Sequence, residues 1–380
     1  MRDVKMKRIA FTGDLGFSSK YFRGTYDKED LLHPDLVSYL SDTDYTVVNV
    51  EGCVFKGQGS AKKPLVHANP PECVDFLKKI NGNIWNLANN HIMDCGREGL
   101  ESTLQYARDN GVQTVGVGLN IAQAAKPVIL ENDGADIGIL SVTQEESPAA
   151  TEDSEGVIQW DDTKKIAQMI DEVKKTCRWC VMIVHAGPEF SQIMPPSIRN
   201  IYRNYLKLGA DVVIGHHPHV MQNYEIFGDK IIFYSLGNFV FDTDYQRLQK
   251  YTQYGVFVKL SFGKDRFTWD HQAMQIDRET QTIVPCETPD IFTNIPAGQY
   301  ALLWPLAMHS LYQNEVVKLG YLFPKMKTYT PKDWHAFYKK HTKNFPQWKP
   351  IITGKRLYHL QFWRLGNKKI QKYIQEGTVE

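Results

Sequence analysis

The 380-residue chain contains no run of about 18 consecutive apolar residues, which argues against a membrane-spanning helix. Its N-terminus, MRDVKMKRIAFTGDLGF, holds an apolar segment of only a few residues before a glycine turn, so no signal peptide is read there and a cytoplasmic location is expected. Cysteine is scarce. Six residues (Cys53, Cys73, Cys95, Cys177, Cys180 and Cys286) are too few for a disulfide framework in a chain this long. Cys177 and Cys180 form a CxxC with no second one to complete a zinc site, and their place before the apolar VMIV favours two small packed residues. Net charge is nearly absent as well, at +1, while 42% of residues are hydrophobic, which excludes a disordered chain. The length suits one large domain with an appendage, or two domains.

The balance of charge is uneven along the chain. Residues 300–380 hold 14 Lys and Arg against 4 Asp and Glu, a net of +10; the preceding residues hold 30 against 39, a net of −9. An acidic body is therefore followed by a basic tail.

Short apolar runs rich in β-branched residues recur through the body: IAFT (9–12), TVVNV (46–50), IWNLA (84–88), VQTVGV (112–117), IGILSV (137–142), VMIV (181–184), DVVI (211–214), IIFY (231–234) and VFVKL (256–260). Between them lie helix-period segments: Leu100, Leu104 and Ala107 before Gly111; Ile166, Ile170 and Val173; and Ile198, Ile201, Tyr205 and Leu208, with Gly209 as the C-terminal cap. Strands alternating with helices predict an α/β domain with buried, partly parallel sheets.

The residues just after each run carry the functional signal. IAFT leads to Gly13-Asp14, TVVNV to Glu51, IWNLA to Asn89-Asn90-His91, VMIV to His185, DVVI to Gly215-His216-His217-Pro218-His219, and IIFY to Gly237-Asn238. The carboxyl ends of strands in open α/β sheets line one crevice, so these distant groups are expected to meet there. Two carboxylates, an amide and several imidazoles make a mixed oxygen and nitrogen ligand set. Such a set suits Mn, Fe or Zn, and its size allows one or two divalent ions. It contains no thiolate, unlike most structural zinc sites.

FTGDLGF, VNVEG, NLANNHIMDCGREGL, VHAGPEF, GADVVIGHHPHVMQ and YSLGNFVFD match, in order, the motifs of the capsule-synthesis CapA proteins, which this chain resembles. The resemblance covers roughly residues 7–262. It implies a calcineurin-like metallophosphoesterase fold, a layered α/β/β/α sandwich, and a link to poly-γ-glutamate or another anionic capsule polymer. Carried over residue by residue, it implies metal ligation by Asp14, Glu51, Asn90, His185, His217 and His219. His91 would be the general acid that protonates the leaving oxygen of a phosphate ester attacked by a metal-activated water, with Asp94 orienting it. His216, Glu189, Asn238 and His67 are candidates for supporting hydrogen bonds or substrate contact. His217 and His219, two apart across Pro218, are expected to point the same way, and His216 away from them. Three departures stand out: Gly16 occupies the third place of the superfamily's Asp-x-His, Glu51 replaces the usual Asp, and GDLGF lacks the Arg of GDxMLGR.

Domain boundaries are expected at 1–297 for the CapA-like domain and 298–380 for a basic, aromatic-rich, mostly helical extension. That extension would pack on the acidic body or dock on a polyanion, a membrane surface or a partner protein. No nucleic-acid module signature is present, so nucleic acid is not expected as a partner. Two rivals to the hydrolase reading are a polymer-assembly component acting on a peptide or glycan, which should have an open groove beside the metals, and a scaffold with a degenerate metal site, whose partner binding should be indifferent to His217.

Overall fold

A computed structural model of the protein describes residues 6–57, 66–144, 147–295, 300 and 303. Two sheets face each other. The first has eight strands, in the order Thr282–Pro285, Phe267–Asp277, Tyr254–Phe262, Lys7–Leu15, Tyr45–Val50, Ile84–Asn86 and Gln113–Val115, with the short strand Asn238–Val240 also paired to Lys7–Leu15. From Lys7–Leu15 to Gln113–Val115 the pairing is parallel; on the other side it is antiparallel. The second sheet runs Tyr224–Phe227, Lys230–Phe233, Val212–His216, Trp179–His185, Ile137–Thr143 and Val128–Leu130. Its centre is parallel and each edge is closed by an antiparallel pair.

The two-residue period of the strands divides their side chains between two cores. Ile9, Phe11 and Val47 of the first sheet pack with Ile139, Val181 and Ile183 of the second, which fills the space between the sheets. Alternate residues such as Ala10 and Val48 turn outward to Leu36, Phe76 and Leu100 of the helices Pro34–Ser41, Cys73–Lys79 and Gly96–Asp109. On the far side, Leu140, Met182 and Val213 pack against Ile166, Ile170, Tyr202 and Tyr205 of the helices Thr163–Thr176 and Pro196–Leu208. This is the layered α/β/β/α sandwich. Each fully buried Val, Ile or Leu contributes about 1.5–3 kcal/mol, so the central strands hold their polar C-terminal residues on a stiff frame.

All nine apolar runs lie on strands, and the three periodic segments lie on helices. Gly209 caps its helix at φ +127° as expected. The run VQTVGV is divided: Gln113–Val115 stays in the first sheet, then Gly116 turns at φ +91° and Val117–Gly118 pairs with Gly156–Val157. A Cβ at Gly116 would come within 2.5 Å of the Ala88 Cβ, so only glycine makes that turn. Cys177 and Cys180 are buried thiols at a helix end and in a strand. No helix among the described residues is long and apolar enough to cross a membrane. The expected extension, 298–380, lies outside the described residues apart from Tyr300 and Leu303, which pack with Ile193 and Ile295.

Candidate metal centre

Parallel register gathers the polar strand ends. Asp14 lies opposite Asn49 and Asn49 opposite Asn86, while His185 lies between Thr143 and His216 in the other sheet. Register shifts on either side of Asp14 turn the chain there. The close approach of Gly13 permits this: a Cβ on it would lie 2.3 Å from the Gly237 carbonyl oxygen, which accepts the Asp14 N–H at 2.9 Å.

Asp14, Glu51 and His219, all buried, bring ligand atoms within 4.8 Å of one another. The imidazole of His219 is oriented at Nδ1 by the acceptor Asn238 Oδ1 at 3.0 Å, with Asp14 Oδ2 3.1 Å away. Nδ1 therefore carries a hydrogen, and Nε2 faces Glu51 Oε1 at 3.6 Å. Burial opposes charge on this imidazole, but the Glu51 and Asp14 carboxylates outweigh it and push its pKa up to about 9. Asp14 is also buried, yet the His216 hydrogen bond and the adjacent His219 imidazole hold its carboxyl well below the usual range. Glu51 goes the other way: burial, aided by the Asp14 charge, raises it well above its ordinary value. Neither Glu51 carboxylate oxygen has a hydrogen-bond partner among the described residues. A buried carboxylate without a hydrogen-bond partner among the described residues is costly alone and suited to a cation. The donor set therefore fits a divalent ion.

His185, Asn90, His216 and His217 extend the cluster. His185 Nε2 lies 3.0 Å from Asn90 Oδ1, to which it donates, and its ring centre is 5.0 Å from that of His217. Burial first, and the neighbouring His217 second, lower its pKa well below the usual value, leaving a neutral imidazole of the kind that binds metals. His216 Nδ1 is 3.1 Å from Asp14 Oδ1. His217 and His219 have φ of +91° and +55°. Such conformations cost non-glycine residues on the order of 1–3 kcal/mol each and cluster at functional sites. The regular strand ends at His216, so two-residue alternation does not govern the loop beyond it. His216, the last residue of that strand, reaches Asp14 as a hydrogen-bond partner.

His91 and Asp94 lie within one turn. Their Nδ1 and Oδ2 atoms are 2.7 Å apart, and Asp94 Oδ2 also accepts the His67 N–H at 2.9 Å. The other His91 nitrogen lies 3.9 Å from Glu51 Oε1. His67 meets the His91 ring edge-on at 4.3 Å and bonds Ser18 Oγ at 2.6 Å through Nδ1. Glu189 is half-buried, and its charge acts on Glu51 and His219.

Every residue singled out in the sequence thus borders one connected cluster. Sequence reasoning missed three polar residues there. Asn49 Nδ2 donates to Asp14 Oδ1 at 2.8 Å, Gln144 Nε2 donates to His217 Nε2 at 2.8 Å, and Ser18 Oγ bonds His67 Nδ1 at 2.6 Å. Asn49 had a readable signal: it is the one amide in the buried run TVVNV, two residues before Glu51.

The Gly16 position is occupied by neighbouring bulk. A Cβ there would lie 2.9 Å from the Phe241 ring, which stacks on His219 at 4.8 Å with an interplanar angle of 2°. The space a side chain at position 16 would take is filled by an aromatic that braces the His219 imidazole.

Comparison with known proteins places these residues in a family. The PGA biosynthesis protein CapA of Bacillus subtilis (strain 168) is 35% identical over 211 residues, covering 54% of this chain and 55% of that protein. The capsule biosynthesis protein CapA of Bacillus anthracis is 30% identical over 218 residues, covering 55% and 53%. The chain thus spans about half the length of the curated relatives it matches. Among solved structures, the NAD nucleotidase of Haemophilus influenzae is similar at a TM-score of 0.41 and 12% identity, covering 81% of this chain and 61% of that one. The family described as "Bacterial capsule synthesis protein PGA_cap" matches residues 8–243, a span that begins at Arg8, holds every candidate ligand, and shows that the chain belongs to that family.

Proposed function

We propose that the chain is a metal-dependent hydrolase of phosphate esters serving the synthesis of a capsule or other anionic polymer of the poly-γ-glutamate type. The observation that carries this reading is Glu51, fully buried, with Asp14 and His219 beside it and neither carboxylate oxygen hydrogen-bonded among the described residues. Asp14, Glu51 and His219 would hold a divalent ion, and Asn90, His185 and His217 a second. An ion bound there would neutralise phosphoryl oxygens and lower the pKa of a bound water.

The chain's own groups support the rest of the chemistry. Asp94 fixes the His91 ring through Nδ1, which leaves Nε2 facing the cluster to hand a proton to a leaving oxygen. Asn49 and His216 hold Asp14, and Asn238 holds His219, so the ligand atoms are set before anything binds. The names of the Bacillus relatives support the link to polymer synthesis. The basic residues of 300–380 would dock on an anionic membrane surface, the polymer or a partner protein.

Metal content by elemental analysis, for the wild type and His219→Ala together, tests the reading. About one or two equivalents in the wild type, reduced in the variant, with phosphoesterase activity restored by the matching ion, is the expected result. No metal in either after incubation with excess Mn, Fe and Zn would overturn it.

A further inference from the structure

Two cysteines stand next to the centre without belonging to it. Cys53 is buried in the short strand Cys53–Val54, two residues after Glu51. Cys95, partly exposed, directly follows Asp94 and is the N-cap of the 14-residue helix Gly96–Asp109. Both are thiols; Cys53 Sγ donates to the His67 carbonyl at 3.9 Å, and the neighbouring Cys95 side chain, with burial, raises the Cys53 pKa. Gly99, one helical turn on, makes room for the contact. A Cβ there would lie 2.4 Å from the Cys95 Cβ and 3.1 Å from the Cys53 Sγ. Both cysteine Cβ atoms therefore sit within 3.4 Å of one point, which is compatible with the short Cβ–Cβ separation of a disulfide.

We propose that Cys53 and Cys95 are a disulfide-forming pair, a modification site that ties the segment after Glu51 to the turn carrying His91 and Asp94. The oxidant is a disulfide compound. Cys95 is the attacking sulfur, because it is the accessible one and sits at a helix N-terminus, where the thiolate is favoured. Its thiolate breaks the S–S bond of the oxidant, forming a mixed disulfide and releasing one thiol. The Cys53 sulfur then attacks the Cys95 sulfur, forming the internal bond and releasing the second thiol. The pair gives up two protons and two electrons, and the oxidant is reduced to two thiols. The inference is independent of the proposed hydrolase activity.

The test uses the full chain, reduced and then incubated with glutathione disulfide at neutral pH, followed by alkylation and peptide mass spectrometry. A Cys53–Cys95 crosslink in the native protein, with loss of two alkylatable thiols and a raised melting temperature, is expected. In Cys53→Ser, Cys95 should retain one glutathione; in Cys95→Ser, the buried Cys53 should stay reduced. The inference is overturned if the wild type forms no such crosslink while keeping its native circular dichroism. A crosslink that appears only in urea, or one joining Cys177 and Cys180 in its place, overturns it equally. The wild-type result decides the matter even where a serine variant does not fold.

Discussion

Replacing Glu51 by Gln should make the metal-free protein more stable while removing its response to metal. The carboxyl group has no exposure and, among the described residues, no hydrogen-bond partner for either oxygen, and burial raises its pKa well above the ordinary value of 4.5. A buried polar group left unsatisfied costs about 1–3 kcal/mol, and a charged one more. The facing His219 offsets part of this. The neutral amide keeps the shape and loses the charge, so a gain of about 1–3 kcal/mol is expected, or about 2–6 °C in Tm for a domain of this size. The pH dependence has a definite sign. Because the folded pKa is raised, the unfolded chain releases its proton first as pH rises, and the penalty on the wild type grows above pH 4.5. The difference between the two proteins should therefore be large at pH 7 and close as pH falls to 4.5. In the presence of Mn or Zn at about 100 times Kd, the wild type should gain about 2.7 kcal/mol and Glu51→Gln almost nothing. Thermal denaturation of both proteins, with chelator and with metal, measures all four values. A Gln variant less stable than the wild type in chelator, yet still stabilised by metal, would refute the argument.

The same geometry bears on the proton donor and on metal affinity. His91→Ala should lower kcat by about 10²–10⁴-fold while metal content stays at the wild-type level, because His91 reaches Glu51 only at 3.9 Å and is held by Asp94; loss of metal along with rate would show that it is a ligand. Metal affinity should rise with pH by up to about tenfold per unit until His219 has lost its proton near pH 9, then level off. Calorimetric titration at several pH values checks this, and a flat profile between pH 6 and 8 would place the proton elsewhere.

The frame and the polar strand ends were legible because both depend on short-range pattern. A buried parallel strand must be almost continuously apolar, so a carboxylate or imidazole at its end, such as Asp14 or His185, stands out against Ile9 or Val181. The strand Phe267–Asp277 was not anticipated, because residues such as Thr268, Asp270 and Gln272 break up its apolar pattern and much of it is only half-buried. Gln144 and Ser18 were missed for another reason. Their partners, His217 and His67, are 73 and 49 residues away and are met through loops that no periodicity describes. The positive φ of His217 and His219 was likewise invisible to strand alternation. What remained hidden was the geometry of turns, which long-range packing decides.

That dependence on packing can be tested at Gly16, where the motif resemblance leads one to look for a histidine. An imidazole at position 16 would add a ligand, so its absence could reflect either a lost function or a lack of room. The distances favour room. A Cβ at Gly16 meets Phe241 ring carbons at 2.9 and 3.0 Å, and that ring is buried, stacked on His219 and 5.1 Å from His67, with little freedom to move. Gly16→Ala should therefore cost about 1–3 kcal/mol by overpacking. Phe241→Ala should cost about 3–5 kcal/mol by leaving a cavity. If the clash is the cause, the two costs cannot add: with the ring gone, the new methyl group occupies part of the space it left. Urea denaturation of the two single variants and the double variant should give a coupling of about 0.5–3 kcal/mol, with the double variant more stable than the sum predicts. Additive values would mean that Phe241 does not hold position 16 to glycine, and the missing imidazole would then need an explanation from the chemistry of the site.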